Sequence, residues 1–243
     1  MPRAFAVVLA AVLSFAAAEV TPATDDHAWL IVVDDLHVPF AQTGRLRDLL
    51  RKVAAELIQD GDRFLFRASG PSSMSLTGSE FTSDRWLASD AARAMTGIAL
   101  KDSDILVARS GISVVKEALY RANIALDAAE EAVYALSREA APRQAIVYVS
   151  NGYDVDTYPA LAERVRIFAR RARENNITIF PIDARGFETL PLPDPRIGAD
   201  TLQRYRTATR RSLSMIAEET GGFVIERPNE PGPGLKRIAE QMR

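Results

Sequence analysis

Residues 28–35 read Ala28-Trp29-Leu30-Ile31-Val32-Val33-Asp34-Asp35, an unbroken apolar run that ends in an acidic pair. A run of this kind is typical of a strand that is buried on both faces, as in the middle of a parallel sheet. Between residues 46 and 57, leucine and valine recur at helical spacing, with arginine and lysine between them. After Gly61, residues 63–68 have the pattern of a second strand. This part of the chain therefore predicts a strand–helix–strand unit.

The same alternation continues to the C-terminus. Strands are predicted near residues 28–33, 63–68, 145–149, 177–182 and 223–225, and residues 73–76 fit a short edge strand. Helices are predicted near residues 46–57, 85–95, 113–137, 159–175 and 200–219, followed by a helical tail from Gly234. This order favours a three-layer α/β fold, in which a mostly parallel central sheet carries helices on both faces. We expect the strand at 28–33 to lie beside the strand at 145–149.

The first residues have the pattern of a secretory signal peptide. Arg3 is followed by a nearly unbroken apolar run over residues 4–17, and Ala16 and Ala18 supply the small residues of a cleavage site. A membrane-spanning helix needs about 20 apolar residues, and this run is shorter. We therefore predict a signal peptide at 1–18, a short mature lead at 19–27 and one folded domain at 28–243. The mature chain is expected to be secreted or periplasmic, with no transmembrane segment after cleavage.

The composition excludes several kinds of site. The chain has no cysteine and only two histidines, so a thiolate nucleophile, a disulfide framework and a zinc–thiolate site are excluded. Its 30 basic and 32 acidic residues give no overall reason to expect a nucleic-acid partner. The first predicted strand is not followed by a glycine-rich dinucleotide fingerprint, and no phosphate-binding Walker sequence occurs. Nucleotide binding of those two kinds is therefore not expected.

Several local sequences resemble the von Willebrand factor type A domain. The first strand runs into Asp34, as in that family's strand followed by D-x-S-x-S, and residues 146–152 resemble its fourth strand, which usually ends in S-D-G. Residues 177–183 are similar to its fifth strand, and residues 216–222 to the helix end before its last strand. Residues 81–85 also resemble a bacterial, exported subgroup related to this family. The resemblance extends over about residues 28–226.

The resemblance implies a metal-ion-dependent adhesion site, but the sequence departs from its pattern. Asp34 matches the first aspartate, and Ser113 matches the threonine ligand. Leu36 and Val38 stand where two serine ligands are expected, and Asn151 replaces the last aspartate. Mg²⁺ prefers about six oxygen ligands, so these changes predict a degenerate site and no resident cofactor. Mg²⁺ or Ca²⁺ held by Asp34 and Ser113 remains the alternative.

The loops after the predicted strands are expected to form a partner-binding crevice, because ligands of open α/β sheets bind at the carboxyl ends of the strands. The residues expected to line the crevice are Asp34, Asp35, His37, Ser113, Asn151 and Asp154. Asp156 and Asp183 belong to the same loops. Acidic residues also cap helices and turns, and this second interpretation is favoured for Asp154 and Asp156. His37 has no second histidine nearby in the sequence, which favours a packing role.

Three functions are compatible with this pattern. The favoured one is an exported binding module, not an enzyme, that takes a protein or another extracytoplasmic ligand in the crevice. The second is a metal-assisted hydrolase that uses Asp34, Asp35 and His37, although no G-x-S-x-G elbow occurs. The third is a scaffold domain whose site has decayed. Arginines cluster at residues 164–173 and 204–211, and they predict either solvated helix faces or a surface for an anionic partner.

Overall fold

The computed structural model describes residues 27–107, 112–187 and 196–243. In these ranges four strands form one parallel sheet in the order β2-β1-β3-β4. The strands are β1 (His27–Val33), β2 (Arg63–Ala68), β3 (Arg143–Ser150) and β4 (Ile177–Asp183). β1 and β3 are neighbours, with Trp29 opposite Ala145, so the predicted adjacency of these two segments is confirmed.

The helices connect the strands and agree with the predicted spans to within a few residues. They are α1 (Thr43–Leu57), α2 (Arg85–Ala94), α3 (Asp102–Val107), α4 (Ile112–Leu136), α5 (Pro159–Glu174), α6 (Ala199–Thr220) and α7 (Gly232–Gln241). Short 3-10 turns lie at Phe40–Gln42, Pro71–Ser75 and Ala184–Phe187. Helix α2 begins after Asp84, whose carboxylate accepts a hydrogen bond from the N–H of Trp86 at 3.0 Å.

Helices cover both faces of the sheet. Alternate residues of β1 point to opposite faces, so they pack into two separate cores. Trp29, Ile31 and Val33 pack in one core with residues of α1, α2 and α7. Leu30 and Val32 pack in a second core with residues of α4, α5 and α6. Since β1 is buried on both faces, its sequence is apolar without alternation. The predicted three-layer α/β fold with a mostly parallel sheet is confirmed.

The strand predicted at 223–225 is wrong, because only one residue pairs. Ile225 donates to Pro181 O at 2.8 Å and accepts from the N–H of Asp183 at 2.9 Å, which makes a single parallel bridge to β4. The ladder cannot continue toward Phe223, since Pro181 has no N–H to donate. On the other side, the N–H of Arg185 bonds to the Asp183 side chain at 3.1 Å instead.

The edge strand suggested at 73–76 is also wrong. Residues 71–75 form a 3-10 turn in which Pro71 occupies the first helical position. The Asp35 carboxylate accepts hydrogen bonds from the N–H groups of Gly70 and Ser72, at 2.6 and 3.0 Å. These bonds satisfy donors at the start of the turn and fix the backbone in a helical rather than an extended conformation.

The prediction of export rests on the N-terminal residues. The signal peptide at 1–18 and residues 19–26 of the mature lead lie outside the described residues, and β1 begins at His27, the last residue of that lead. Among the helices that the structure describes, none is long and apolar enough to cross a membrane.

Candidate binding crevice at the carboxyl edge of the sheet

A narrow crevice opens at the carboxyl edge of the sheet, between the loops that follow β1 and β3. The strand order reverses between these two strands, which is the position where open α/β sheets bind ligands. Leu36 and His37 come from the loop after β1, and residues 151–154 come from the loop after β3. The other walls come from α3, α4, α5, α6 and the segment before α3; their apolar members include Leu100, Ile105, Leu119, Ala122 and Leu161.

Asp34 lies at the end of β1 with no exposed surface, and its carboxylate is surrounded by donors. Oδ1 accepts from Nδ1 of His37 at 2.9 Å and from Oγ of Ser69 at 3.0 Å. Oδ2 accepts from Oγ of Ser150 at 2.7 Å and from the hydroxyl of Tyr153 at 3.0 Å. An ionised carboxylate offers about four acceptor positions, so these four donors occupy the group.

The network shifts the acidity of its members. Burial raises the pKa of Asp34, but the charge of His37 and hydrogen bonds from His37, Ser150 and Ser69 outweigh burial and hold the pKa below its ordinary value. Burial, and then the charge of Asp34, raise the pKa of Tyr148 and of Tyr153 well above the ordinary value for tyrosine. Asp34 is therefore the anion of the network, and the two hydroxyl groups, which contact each other, stay protonated.

Asp35 is also fully buried, but it serves the neighbouring loop rather than the crevice. Its Oδ1 accepts from the N–H of Gly70 and shares the Ser69 hydroxyl at 3.2 Å, and its Oδ2 accepts from Ser72. Its carbonyl oxygen accepts from the N–H of Ile98 at 2.8 Å. Asp35 thus ties the end of β1 to the 3-10 turn after β2 and to the segment before α3. It is not among the residues that line the crevice.

The loop after β3 brings Asn151 into the crevice. Gly152 follows with a φ of +73° and packs against the backbone of α6. The N–H of Tyr153 donates to Oγ of Ser212 in α6 at 2.8 Å. Oδ1 of Asn151 is buried, and no other group in the described part of the chain hydrogen-bonds to it. A buried acceptor without a partner is costly, so this atom destabilises the loop after β3 as it stands.

His37, Asp154 and Ser113 complete the predicted set. His37 lines the crevice and meets the ring of Tyr153 edge-on, with centroids 5.2 Å apart. Asp154 lines it too, and its Oδ1 accepts from the N–H of Thr157 at 3.1 Å, so it orders the turn before α5. Ser113 is in the first turn of α4, and its side chain lies outside the described residues. The structure thus brings Asp34, His37, Asn151 and Asp154 together.

A buried ion pair forms one end of the crevice. Nε of Arg185 donates to Oδ1 of Asp183 at 2.9 Å, and Arg185 also donates to the carbonyl oxygen of Arg206 at 3.1 Å. Arg210 contacts the second carboxylate oxygen of Asp183 at 3.1 Å. Asp183 was expected near the crevice, but Arg185, which lines it, was not predicted. The alternation Asp183-Ala-Arg185 directly after an apolar strand is the signal that would have indicated this pair.

Three side chains that donate hydrogen bonds to Asp34 were also not predicted, namely Ser69, Ser150 and Tyr153. Ser150 and Tyr148 alternate along β3 and so share one face of the sheet, which is a usable signal for their common surroundings. Ser69 follows β2, and register with the end of β1 brings it opposite Asp34. All three are small or aromatic hydroxyl residues at the carboxyl ends of strands, where donors gather around an acidic residue.

Most of the clustered arginines pair with carboxylates. In the described part of the chain, ion pairs within 4 Å join Arg164 to Asp127 and Glu130, Arg166 to Glu163, Arg171 to Glu130, Arg173 to Glu219, Arg206 to Asp102, Arg210 to Asp183 and Arg211 to Asp156. Most of these pairs are at least partly exposed, so each contributes little to stability. Because their charges are balanced locally, these helices favour the interpretation as solvated, ion-paired faces over a surface for an anionic partner.

The residues present do not fit the metal site that the family resemblance implies. Leu36 and Val38 are buried apolar side chains at the positions of two serine ligands. The oxygens of Asp34 already accept from four protein donors, so a cation there would have to displace them. Across the ranges that the structure describes, no three His, Asp or Glu side chains form a group suited to a metal ion.

Comparison with known proteins adds one structural likeness. No protein-family model matches the sequence, and no curated protein matches it. One solved structure that resembles the chain is the crystal structure of the TFIIH p34 N-terminal domain. It is 13% identical, with a TM-score of 0.33, over 88% of this chain and 97% of that one. We assign neither a family nor a function from this likeness, and the bacterial exported subgroup stays a prediction.

Proposed function

We propose that the chain is an exported binding module that takes a protein, or another extracytoplasmic ligand, in the crevice at the carboxyl edge of the sheet. One observation carries this proposal. The acidic residue expected to hold a metal is buried under the crevice and engaged by four side-chain donors, while the crevice itself has apolar walls. Apolar walls with a few fixed polar groups are the usual composition of a ligand site.

The lining indicates the chemistry of the ligand. Leu36, Leu119 and Leu161 offer apolar surface, and Asn151 places a side-chain amide in the lining. A ligand that inserts an apolar or aromatic group carrying an N–H or O–H donor would satisfy both features. This mode of binding uses direct contacts and needs no bridging cation.

The hydrolase alternative finds less support. Asp34 and Asp35 have no exposed surface, and their oxygens accept hydrogen bonds from side chains and from backbone N–H groups. A general base must reach a proton on the substrate or on water. His37 is the one of the three predicted catalytic residues that lines the crevice, and its Nδ1 donates to Asp34, a pair that can orient a base. Neither a G-x-S-x-G elbow nor, among the described residues, a metal-ligand group accompanies this pair. We therefore propose that the chain is not an enzyme.

Titration of the purified mature chain with Mg²⁺, Ca²⁺ and Mn²⁺ tests the metal-free part of the proposal. We expect no saturable heat in isothermal calorimetry at micromolar to millimolar metal, because the changed ligand set leaves little to offset the dehydration of the cation. The variant Asn151→Asp, which restores one carboxylate of the family pattern, serves as the comparison. Micromolar affinity in the wild-type chain would restore the metal-dependent adhesion mechanism to first place.

Filling the crevice tests the binding function. Ala118→Trp adds bulk to the α4 wall of the crevice, whereas Ala55→Trp adds the same bulk to an exposed position of α1 on the other face. Immobilised wild-type chain should capture the same proteins from the exported fraction with and without EDTA. Ala55→Trp should capture them too, and Ala118→Trp should lose at least about 90% of each, which corresponds to a tenfold loss of affinity.

Circular dichroism of both tryptophan variants provides the control for folding. If folded Ala118→Trp captures the same proteins in the same amounts as the wild-type chain, the ligand does not use the crevice. If EDTA abolishes capture, the ligand uses a cation and the proposed mode of binding is wrong.

A further inference from the structure

The outer edge of β2 carries backbone groups that the sheet leaves unpaired. The N–H of Ser69 donates to Val33 O at 3.0 Å, so the odd-numbered residues of β2 direct their backbone groups toward β1. Phe64 points the other way and exchanges two hydrogen bonds with Thr82, at 2.8 and 3.0 Å. Phe66 and Ala68 have the same outward orientation as Phe64. No described residue hydrogen-bonds to their N–H or carbonyl groups.

A groove runs along this unpaired part of the edge. Its floor includes Phe66 and Ala68, and one wall comes from α4, where Ile124 and Ala128 are half-buried. The opposite wall comes from the segment that returns from the 3-10 turn toward Thr82 and includes Leu76, Gly78 and Ser79. Leu76 packs against the core that contains Phe66, and Arg67 donates to Ser79 O at 3.4 Å, but this part of the segment forms no backbone ladder with β2. The groove therefore separates the edge of the sheet from the chain that would otherwise pair with it.

We infer that an extended segment of a partner protein binds in this groove and adds to the sheet as a further strand beside β2. Exposed edge strands are templates for such pairing. The free N–H and carbonyl groups of Phe66 and Ala68 supply four hydrogen bonds to the incoming backbone. The proposed occupant is an extended segment rather than a second copy of this chain, and the chemistry of the α4 wall is the argument for it.

The α4 wall determines which side chains the strand carries. Ile124 and Ala128 offer a small apolar surface, and Asp127 and Glu131 are exposed beside it. Arg164 contacts Asp127 at 2.6 Å, and no ion pair within 4 Å to Glu131 occurs among the described residues. Since side chains of a strand alternate between two faces, a segment with a small apolar residue and a basic residue two positions apart presents both to this wall.

The probe for this site is a short synthetic peptide of about seven residues, blocked at both ends, in which valine and lysine take turns at every second position and threonine lies between them. In the free chain, NMR hydrogen exchange should be fast at Phe66 and Ala68 and slow at Leu65 and Arg67, whose N–H groups face β1. Saturating peptide should slow exchange at Phe66 and Ala68 by about tenfold or more. Slow exchange at Phe66 and Ala68 in the free chain would show that the chain covers its own edge, and would overturn the inference.

Peptide and protein variants separate strand addition from simple charge attraction. In an added strand, alternate N–H groups face β2, so N-methylation of one alternate set should weaken binding by about tenfold or more and N-methylation of the other should leave it nearly unchanged. Glu131→Lys should weaken binding by about threefold to tenfold, while Glu56→Lys on α1 should not change it. Equal effects of the two N-methylated peptides, or dimerisation of the chain that itself protects Phe66 and Ala68, would contradict a peptide partner.

Discussion

Asp34→Ala is expected to lower the free energy of unfolding by about 3–5 kcal/mol, since it removes a buried charge and leaves its donors without an acceptor. His37, Ser69, Ser150 and Tyr153 all direct a donor at this carboxylate. These donors come from the loops after β1, β2 and β3, so the substitution loosens three loops at once.

Urea denaturation followed by circular dichroism measures this loss. Asp156→Ala is the matched control, because Asp156 is half-exposed and, among the described residues, bonds only to Arg211, at 3.0 Å. Its loss should stay within about 1 kcal/mol, as for other exposed ion pairs. A loss below about 1 kcal/mol for Asp34→Ala would show that the carboxylate does not hold the loops together.

The acid dependence of stability provides a second measurement on the same residue. The folded pKa of Asp34 is lower than the unfolded value of about 3.9, so its stabilising contribution is complete above that value. The contribution is lost as the pH falls through the folded pKa. Asp34→Asn cannot titrate, so from about pH 5 downward the wild-type chain should lose stability more steeply than this variant. If the free energy of unfolding falls equally steeply with pH for the two proteins, the lowered pKa is contradicted.

The positions of the buried strands could be predicted from the sequence, because each is a local, largely apolar run. Residues 28–33 and 145–149 have no polar residue at all, which only a strand covered on both faces tolerates. The strand predicted at 223–225 was wrong for a reason outside its own sequence. Its partner Pro181 lacks the N–H that a second bridge would need.

The position of the site at the carboxyl edge could be predicted from the sequence, but its hydrogen bonds could not. The acidic pair after the first strand and the Ser150-Asn151-Gly152 sequence indicated the carboxyl edge, and both lie there. The acceptor role of Asp34 depends on Ser69, Ser150 and Tyr153, which are 35, 116 and 119 residues away in the chain. No local pattern encodes such contacts. For the same reason the sequence could not show that Asp34 lies under the crevice whereas Asp35 bonds to the loop after β2.

Gly152→Ala is expected to cost about 2–5 kcal/mol of unfolding free energy, from two separate effects. The φ of Gly152 is +73°, in the left-handed region that disfavours a side chain. A Cβ atom at this position would also lie 2.1 Å from the carbonyl oxygen of Thr209 and 2.6 Å from Oγ of Ser212. Backbone cannot yield as a flexible side chain does, so α6 must move away from the loop after β3.

Gly221→Ala isolates the first effect, the left-handed backbone conformation. Gly221 has a φ of +76°, almost the same as Gly152, but a Cβ atom there would meet nothing within 4 Å. It should therefore cost only the backbone share, about 1–2 kcal/mol. Equal losses for the two variants in urea denaturation would show that close packing against α6 is not the reason for glycine at 152.

A larger loss at Gly152 has a consequence for binding, because the next residue, Tyr153, bonds to both Ser212 and Asp34. Displacing α6 should then open the crevice, and folded Gly152→Ala should capture less ligand than Gly221→Ala does.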